Sequence, residues 1–216
     1  MKLSAPRIRD GLTETTDIDR YILSATQDDI TISDLHFKNA VPESKEIFGL
    51  PFERVILENC RFDQRALERI SFCDAVFIRC DLSNCRLDDG YFNRCIFSSC
   101  RLTGAAFTGN IIKDVKFENC VLNYSAWENC KFSPVRCEYC DFSSAEITDS
   151  SFKAFSPCEC RFSGTSFFRT PLSGINFTDS ELTGIKVSDS FRELKGAIVS
   201  PAQALELATL LGITIK

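Results

Sequence analysis

The sequence is poor in the residues that enzymes most often use for chemistry. It contains one histidine, one methionine and one tryptophan among 216 residues. The single histidine, His36, has no partner visible in the sequence and cannot supply a Ser/His/Asp or Cys/His constellation. No glycine-rich phosphate loop is present, and the adjacent carboxylates Asp88 and Asp89 are typical of a solvated surface. The sequence therefore predicts a protein that is not an enzyme and binds no cofactor.

Other absences restrict the cellular setting and the partners. No apolar run approaches the length needed to cross a membrane, and the start of the chain lacks the apolar core of a signal peptide. We therefore expect a cytoplasmic protein whose twelve cysteines stay reduced. A net charge of −5 without clustered Lys and Arg argues against direct binding of nucleic acid. The same charge permits a basic protein partner.

What the sequence does contain is a strict periodicity. Cysteine recurs at every twentieth position, and Ser180 continues the series Cys60, Cys80, Cys100, Cys120, Cys140 and Cys160. A fixed period of this length is typical of a solenoid, in which every coil repeats the environment of the coil before it. Because buried free cysteine behaves as a small hydrophobe, we expect these thiols to line the interior.

A shorter period of five lies within the first. From Phe52 to Val187 every fifth residue is Phe, Leu, Ile, Val or Trp, except at Cys137 and Pro157. The residue two places earlier is nearly always small, and the other three are mostly polar. Neither a helix nor a flat strand has this period. Two inward and three outward residues describe one side of a square tube, and four such sides make a coil as long as the cysteine period.

These quintets resemble the pentapeptide-repeat family, whose loose consensus is A-(D/N)-L-X-X. The resemblance covers 28 quintets and is close in the segments 60–64, 80–84 and 140–144. It implies an all-β solenoid, the right-handed quadrilateral β-helix, with about seven coils over residues 50–190. We expect residues 29–50 to form a partial first coil with a charged loop at 42–46. Residues 1–28 should form a cap or irregular segment, with Ile18, Tyr21 and Ile22 buried.

Residues 191–216 are predicted to form a C-terminal helix and tail. Ser200 suits the N-cap, Pro201 the first turn and Gly212 the position after the helix. Ile213 and Ile215 add an alternating apolar tail. Helical spacing brings together an apolar stripe that could cap the last coil or join two chains end to end, and we expect a homodimer through Ala204, Leu207, Ala208 and Leu211.

One group of cysteines has a spacing similar to that of a metal site. The spacing of Cys137, Cys140, Cys158 and Cys160 could bring four thiolates to one corner, as zinc prefers. Cys140 and Cys160, however, already belong to the interior series. In the same region Phe155 and Pro157 reverse the usual order of small then large residue. We interpret this region as a local distortion that conserves core volume, and we predict no metal.

The outward residues point to a protein partner. One side carries an acidic row, Glu68, Asp88, Asp89, Glu128 and Asp149. Residues 194–212 also resemble the dimerising end of the Qnr and MfpA branch of the family, which protects type II topoisomerases from quinolones. That resemblance implies a DNA mimic whose acidic row meets DNA gyrase or topoisomerase IV. The alternative is a passive scaffold without topoisomerase activity, binding partners through the aromatic residues Tyr91, Tyr124, Tyr139 and Phe168.

Overall fold

The computed structural model describes residues 2–214, and within them the chain winds into a square tube of short parallel strands. The strands are β1 (Thr13–Thr15), β2 (Ile32–Lys38), β3 (Glu46–Phe48), β4 (Pro51–Glu58), β5 (Ala66–Glu68), β6 (Ser71–Ile78), β7 (Tyr91–Ser98), β8 (Ala106–Thr108), β9 (Ile111–Glu118), β10 (Ala126–Glu128), β11 (Lys131–Phe132), β12 (Val135–Glu138), β13 (Glu146–Thr148), β14 (Ser151–Phe152) and β15 (Phe155–Cys158). The helices are α1 (Ile18–Asp28), α2 (Pro201–Leu210) and a 3-10 turn at Arg192–Leu194.

The four sides of the tube are numbered here by their buried residues in one coil: Phe52 (side 1), Leu57 (side 2), Phe62 (side 3) and Leu67 (side 4). A ten-stranded sheet covers sides 1 and 2. Short strands β3 and β5, and then β8, β10 and β13, form side 4. Side 3 is joined by isolated parallel bridges. The long strands pair with the same offset that separates successive cysteines of the series, so the sequence period is the coil period, as predicted.

The interior is built from stacked copies of the same positions. The rings of Phe77, Phe97 and Phe117 stack with centroid separations of 4.3 and 4.8 Å. The cysteines of the series are buried, and five of the six donate to a carbonyl of the preceding coil. The Sγ of Cys80, for example, donates to a carbonyl of the preceding coil at 3.2 Å, and Ser150 Oγ does the same at 3.0 Å. The prediction of an inward cysteine ladder is confirmed.

The N-terminal end is closed by α1 and one unpredicted strand. Asp17 caps α1 by accepting a hydrogen bond from a backbone amide. Ile18 is buried, and Tyr21 meets Phe37 edge to face at 5.7 Å. Strand β1, which the sequence pattern does not reveal, pairs in parallel with β2 and extends the large sheet. Strands β2 and β3 pair with the next coil, and residues 42–45 form a loop between them.

At the C-terminal end the chain adds a partial rung that the pattern after Val187 does not predict. Leu172 N–H donates to Glu193 O at 2.9 Å and Phe177 N–H to Ile198 O at 2.8 Å. The offset of this pairing is longer than between ordinary coils, because the 3-10 turn inserts extra chain. Helix α2 then begins at Pro201 after a capping box made by Ser200, as predicted from the sequence. No helix within residues 2–214 is long and apolar enough to cross a membrane.

The predicted apolar stripe of α2 requires correction. Its four members differ in burial: Leu207 packs against the core, whereas Ala204 and Leu211 are exposed and Ala208 is half-buried. The buried residue of the helix is Gln203, whose side-chain amide donates to two carbonyls of the last coil. No ordinary coil follows whose inward side chains could donate to these carbonyls, so the Gln203 amide supplies the donor where apolar packing alone was expected. Ile213 is exposed, and Ile215 lies outside the described residues.

Candidate functional site

The acidic row lies along side 4, where parallel pairing stacks equivalent positions. Glu128 stands between Thr108 and Thr148 in the register of β8, β10 and β13. Glu68 is the last residue of β5. Asp88 and Asp89 occupy the matching outward positions of the next coil, and bridges at Arg86 join that coil to the coil before it and the coil after it. The geometry therefore places all five predicted residues on one side: Glu68, Asp88, Asp89, Glu128 and Asp149.

Arginines on the same side reduce the field of this row. Arg86 pairs with Glu68, and its Nε lies 3.3 Å from Asp88. Arg169 contacts Asp149 at 2.6 Å. Two members of the row, Asp89 and Glu128, make no ion pair among the described residues. The sequence located the carboxylates, but it did not reveal which of them are paired.

Asp89 has a second, local role at the corner of the tube. Its Oδ1 lies over Gly109, where an added Cβ would be only 2.5 Å away. Gly109 also has a φ of +71°, a conformation that L-residues with side chains rarely adopt. A glycine at this corner therefore leaves the Asp89 carboxylate room to lie along the axis of the tube.

Side 2, opposite the acidic row, carries a paired network of charges. Lys116 Nζ contacts Glu118 at 3.2 Å and Glu138 at 2.7 Å, and its hydrogen bond holds the pKa of Glu138 below the usual range.

His36 has two partners, contrary to the sequence prediction. Its Nε2 is 3.1 Å from Glu58 Oε2 and its Nδ1 is 3.6 Å from Glu14 Oε1. Glu14 arrives on β1, so the partner could not be seen without that strand.

A charge ladder at the corner between sides 1 and 2 was missed by sequence reasoning. Acid and base alternate coil by coil in the series Asp34, Arg54, Asp74, Arg94 and Asp114. Arg54 Nε binds Asp34 at 2.7 Å, and Arg94 binds Asp74 through Nε at 2.6 Å and Nη2 at 2.7 Å. Asp74 is 3% exposed, and the hydrogen bonds from Arg94 lower its pKa. The signal was present in the sequence as an alternation of charge at the cysteine period.

Comparison with known families agrees with this geometry. The model of the pentapeptide repeat region matches residues 50–127 and, overlapping them, 90–156, about half of the chain. The chain is a pentapeptide-repeat protein. The fold class predicted from the repeat is thereby confirmed.

Two solved structures illustrate the similarity of this pentapeptide-repeat protein to others. HetL, a pentapeptide-repeat protein involved in regulating heterocyst differentiation in the cyanobacterium Nostoc sp. strain PCC 7120, is 15% identical over 82% of this chain and 95% of its own, with a TM-score of 0.48. Full-length QnrB1, a plasmid-mediated fluoroquinolone resistance protein, is 17% identical over 85% of this chain and 100% of its own, with a TM-score of 0.44. No curated protein matches the chain significantly.

The four cysteines considered for zinc do not gather at one corner of this pentapeptide-repeat protein. Cys137, Cys140 and Cys160 are buried in the interior, whereas Cys158 is half-buried on the outside. Within residues 2–214 no cluster of three or more His, Cys, Asp or Glu side chains is arranged to hold a metal ion. Phe155 points inward and packs on Phe152 at 4.5 Å, so the reversed order of volumes fills the core.

The aromatic residues proposed for a scaffold surface are scattered around the pentapeptide-repeat tube. Tyr124, Tyr139 and Phe168 are exposed, and Tyr91 is half-buried. Tyr91 belongs to side 1 and Phe168 to side 4, while the other two turn different corners with φ near +59° and +54°. The geometry therefore does not bring these four side chains into one patch.

Proposed function

We propose that this protein is a non-enzymatic, protein-binding rod whose acidic row on side 4 engages the basic, DNA-binding groove of a type II topoisomerase. The supporting observation is a file of carboxylates on one rigid side, carried by four of the five coils from Glu68 to Asp149, whereas the coil of Thr108 and Gly109 carries none. Parallel strands are about 4.8 Å apart, so the charges of successive coils are separated along the rod by multiples of that distance, and the phosphates of a DNA backbone also follow one another along an axis. A groove lined with Lys and Arg would meet several of them together.

The arginines within the row do not prevent such binding. Exposed ion pairs typically contribute only about 0–1 kcal/mol. The side chains of Arg86 and Arg169 are 55% and 63% exposed. Both can swing away when a basic partner approaches their carboxylates. Because the attraction is electrostatic, the affinity should fall steeply as salt is raised.

Gyrase and topoisomerase IV are the first partners to test, because residues 194–212 resemble the Qnr and MfpA branch. Protection of the enzyme from quinolones is part of this proposal and depends on the same resemblance. The proposal concerns binding alone and requires no catalytic group on this chain.

The proposal includes a homodimer through the exposed side of α2. Leu205 and Leu211 are 55% and 54% exposed, next to Ala204 and Ala208. These four residues form the dimer surface in the proposal, and Leu207 no longer belongs to it because it caps the coil. A two-fold dimer would present two acidic rows to a two-fold enzyme and would gain avidity from the linkage. Leu205→Glu is the variant chosen to split it.

The test is a gyrase supercoiling assay with and without ciprofloxacin, titrating the purified protein. The acidic-row variant carries Asp88→Asn, Asp89→Asn and Glu128→Gln. A matched control carries Asp10→Asn, Asp28→Asn and Glu43→Gln, which remove the same charge from exposed positions at the N-terminal end. We expect the row variant to need at least tenfold more protein for the same effect, and the control to match the wild type. Equal behaviour of both variants, or no effect of the wild type, would reject the proposal and leave the passive scaffold as the alternative.

A further inference from the structure

The first residues of the chain form an extended arm that runs along the charge ladder. Ser4 N–H donates to Asp114 Oδ1 at 2.9 Å, and Arg7 N–H donates to Asp74 Oδ1, also at 2.9 Å. Arg9 then reaches Asp34 at 3.8 Å. The arm, residues 2–10, therefore crosses the coils from β9 back to β2, perpendicular to the strands.

The arm and the ladder have matching repeats. An extended chain rises about 3.3 Å per residue, so three residues span about 10 Å, the height of two coils about 4.8 Å apart. Ser4 and Arg7 are three residues apart, and their acceptors Asp114 and Asp74 are two coils apart. The alternation of acid and base leaves a carboxylate at every second coil. Any extended peptide in this place would meet the same acceptors.

Beside the ladder lies an apolar strip on the outside of side 2. Most outward positions of the rod are polar, but Ile56, Val76 and Ile96 stack on one another in adjacent coils. All three are half-buried although they point out of the tube. Ile96 lines a small cavity of about 120 Å³ together with Leu3, Ala5 and Pro6 of the arm. The strip and the ladder together form what we call the track.

The arm is held on the track by few contacts. No backbone–backbone hydrogen bond joins residues 2–12 to the rod in the described structure, whereas β1 is fully paired with β2. Leu3, Pro6 and Ile8 of the arm are only half-buried. Gly11 follows the arm with a φ of +74° and open space around it, a suitable pivot. Segments with so few contacts open at low free-energy cost.

We propose that the track is a docking site for an extended peptide segment of a partner protein, and that the arm occupies it in the free protein. The arm indicates the chemistry of the segment: apolar residues that reach the strip, with basic residues between them. Lys2, Arg7 and Arg9 supply that charge here. Asp114 has no cationic partner among the described residues, so it is available to a basic peptide. This site lies opposite the acidic row and is independent of the topoisomerase proposal.

Competition from the arm determines the affinity seen by a partner. A tethered segment acts at an effective concentration in the millimolar range, about as high as short linkers produce. Removal of the arm should therefore increase the affinity for a peptide in trans by at least tenfold. It should leave the coils folded, because the arm contributes no paired strand.

The direct test uses a variant lacking residues 2–9 and a fluorescein-labelled peptide with the sequence of residues 2–10. Fluorescence anisotropy should show saturable binding to the variant, at least tenfold tighter than to the full chain. A scrambled peptide of equal composition should bind at least tenfold more weakly, and Asp114→Asn on the shortened chain should weaken binding several-fold. A peptide that carries Leu3→Asp and Pro6→Asp should not bind the shortened chain. Equal binding of the scrambled peptide, or none of the native one, would overturn the proposal.

A second variant covers the case in which the shortened chain does not fold. Ser4→Pro combined with Arg7→Pro removes both amide donors in the full chain, and Ala5→Pro is the matched control, since that amide makes no such contact. The double variant should bind the labelled peptide more tightly and be cut faster by trypsin after Arg9. Unchanged binding and cleavage would contradict the proposal. If the full-length protein is a dimer and becomes a monomer when the arm is removed, the track binds a second copy of this chain. That outcome would also overturn the proposal.

Discussion

The coils before Pro134 and those after it share one interior but differ at one corner. Before it, β4, β6, β7 and β9 run without a break across sides 1 and 2, and the corner residues Arg54, Asp74, Arg94 and Asp114 have φ between +52° and +56°. After it, each long strand is split in two. Proline cannot adopt a positive φ. Pro134 therefore breaks the strand of its own coil, and Ala154, which has no positive φ either, stands at the same corner of the next coil.

The surface changes at the same place. Asp114 is the last member of the charge ladder, and Ser4 at the start of the arm binds it. Beyond this point the interior also changes, because Phe155 and Pro157 exchange the usual volumes. Corner chemistry and the order of core volumes therefore change in the same region, and an exchange of volumes between neighbouring core positions is tolerated when the total volume is kept.

Removal of a stacked ring before Pro134 should have the largest effect on stability. Phe97 is 1% exposed between two other rings. Phe97→Ala should lower the free energy of unfolding by about 3–5 kcal/mol, because rigid coils cannot collapse around the cavity. Urea denaturation measures the loss, with Ser98→Ala on the outside as the control. Small and equal effects would show that the five-residue period is not the basis of the core.

The same substitution after Pro134 should cost less. Phe155 is 8% exposed and packs on the half-buried Phe152, so water and neighbouring side chains can fill part of the gap. Phe155→Ala should lower the free energy of unfolding by about 3 kcal/mol, the lower end of the usual range. Adding Pro157→Phe restores the common order of small then large and should recover part of the loss. Failure to recover any stability would argue against the exchange of volumes.

The charge ladder before Pro134 should make the free energy of unfolding depend on pH in the acidic range. Asp74→Asn should cost about 1.5–3 kcal/mol, typical of hydrogen bonds to a charged group. The folded pKa of Asp74 is lowered by Arg94, so its contribution is present above the unfolded pKa of about 3.9 and is lost as pH falls through the folded value. The difference between wild type and variant in urea denaturation should therefore be constant from pH 7 to about pH 4 and should shrink at lower pH. Asp149→Asn, in an exposed pair, should change stability by at most about 1 kcal/mol.

Thiol reactivity tests both regions without altering their stability. Cys73, before Pro134, and Cys158, after it, are half-buried, whereas the other ten cysteines are buried. Burial raises the pKa of Cys85 and Cys130 to about 12, so little thiolate forms at neutral pH. Mass spectrometry after labelling of the native protein should find Cys73 and Cys158 modified first. Rapid labelling of Cys100 or Cys120 would show that the inward assignment is wrong.

The candidate site was only partly predictable from residues. The outward positions of the repeat located Glu68, Asp88 and Glu128 on one side, because alternation along a strand depends on local spacing. The pairing of Arg86 with Glu68 depends on which side chains meet across coils. The alternating ladder was visible in the sequence at the coil period, but its acceptor role toward the arm was not.

Local sequence patterns were sufficient to determine the square tube and its large-and-small interior, from the periodicity, and the start of α2, from its capping residues, since each depends on residues at most one coil apart. The tertiary structure alone decided the place of the arm, the partners of His36 and the burial of Gln203. Ser4 meets Asp114 across 110 positions of the chain, and Gln203 donates to carbonyls of the last coil, where no ordinary coil follows to supply a side-chain donor. A repeating pattern describes what every coil has in common, whereas these contacts depend on where the repetition stops.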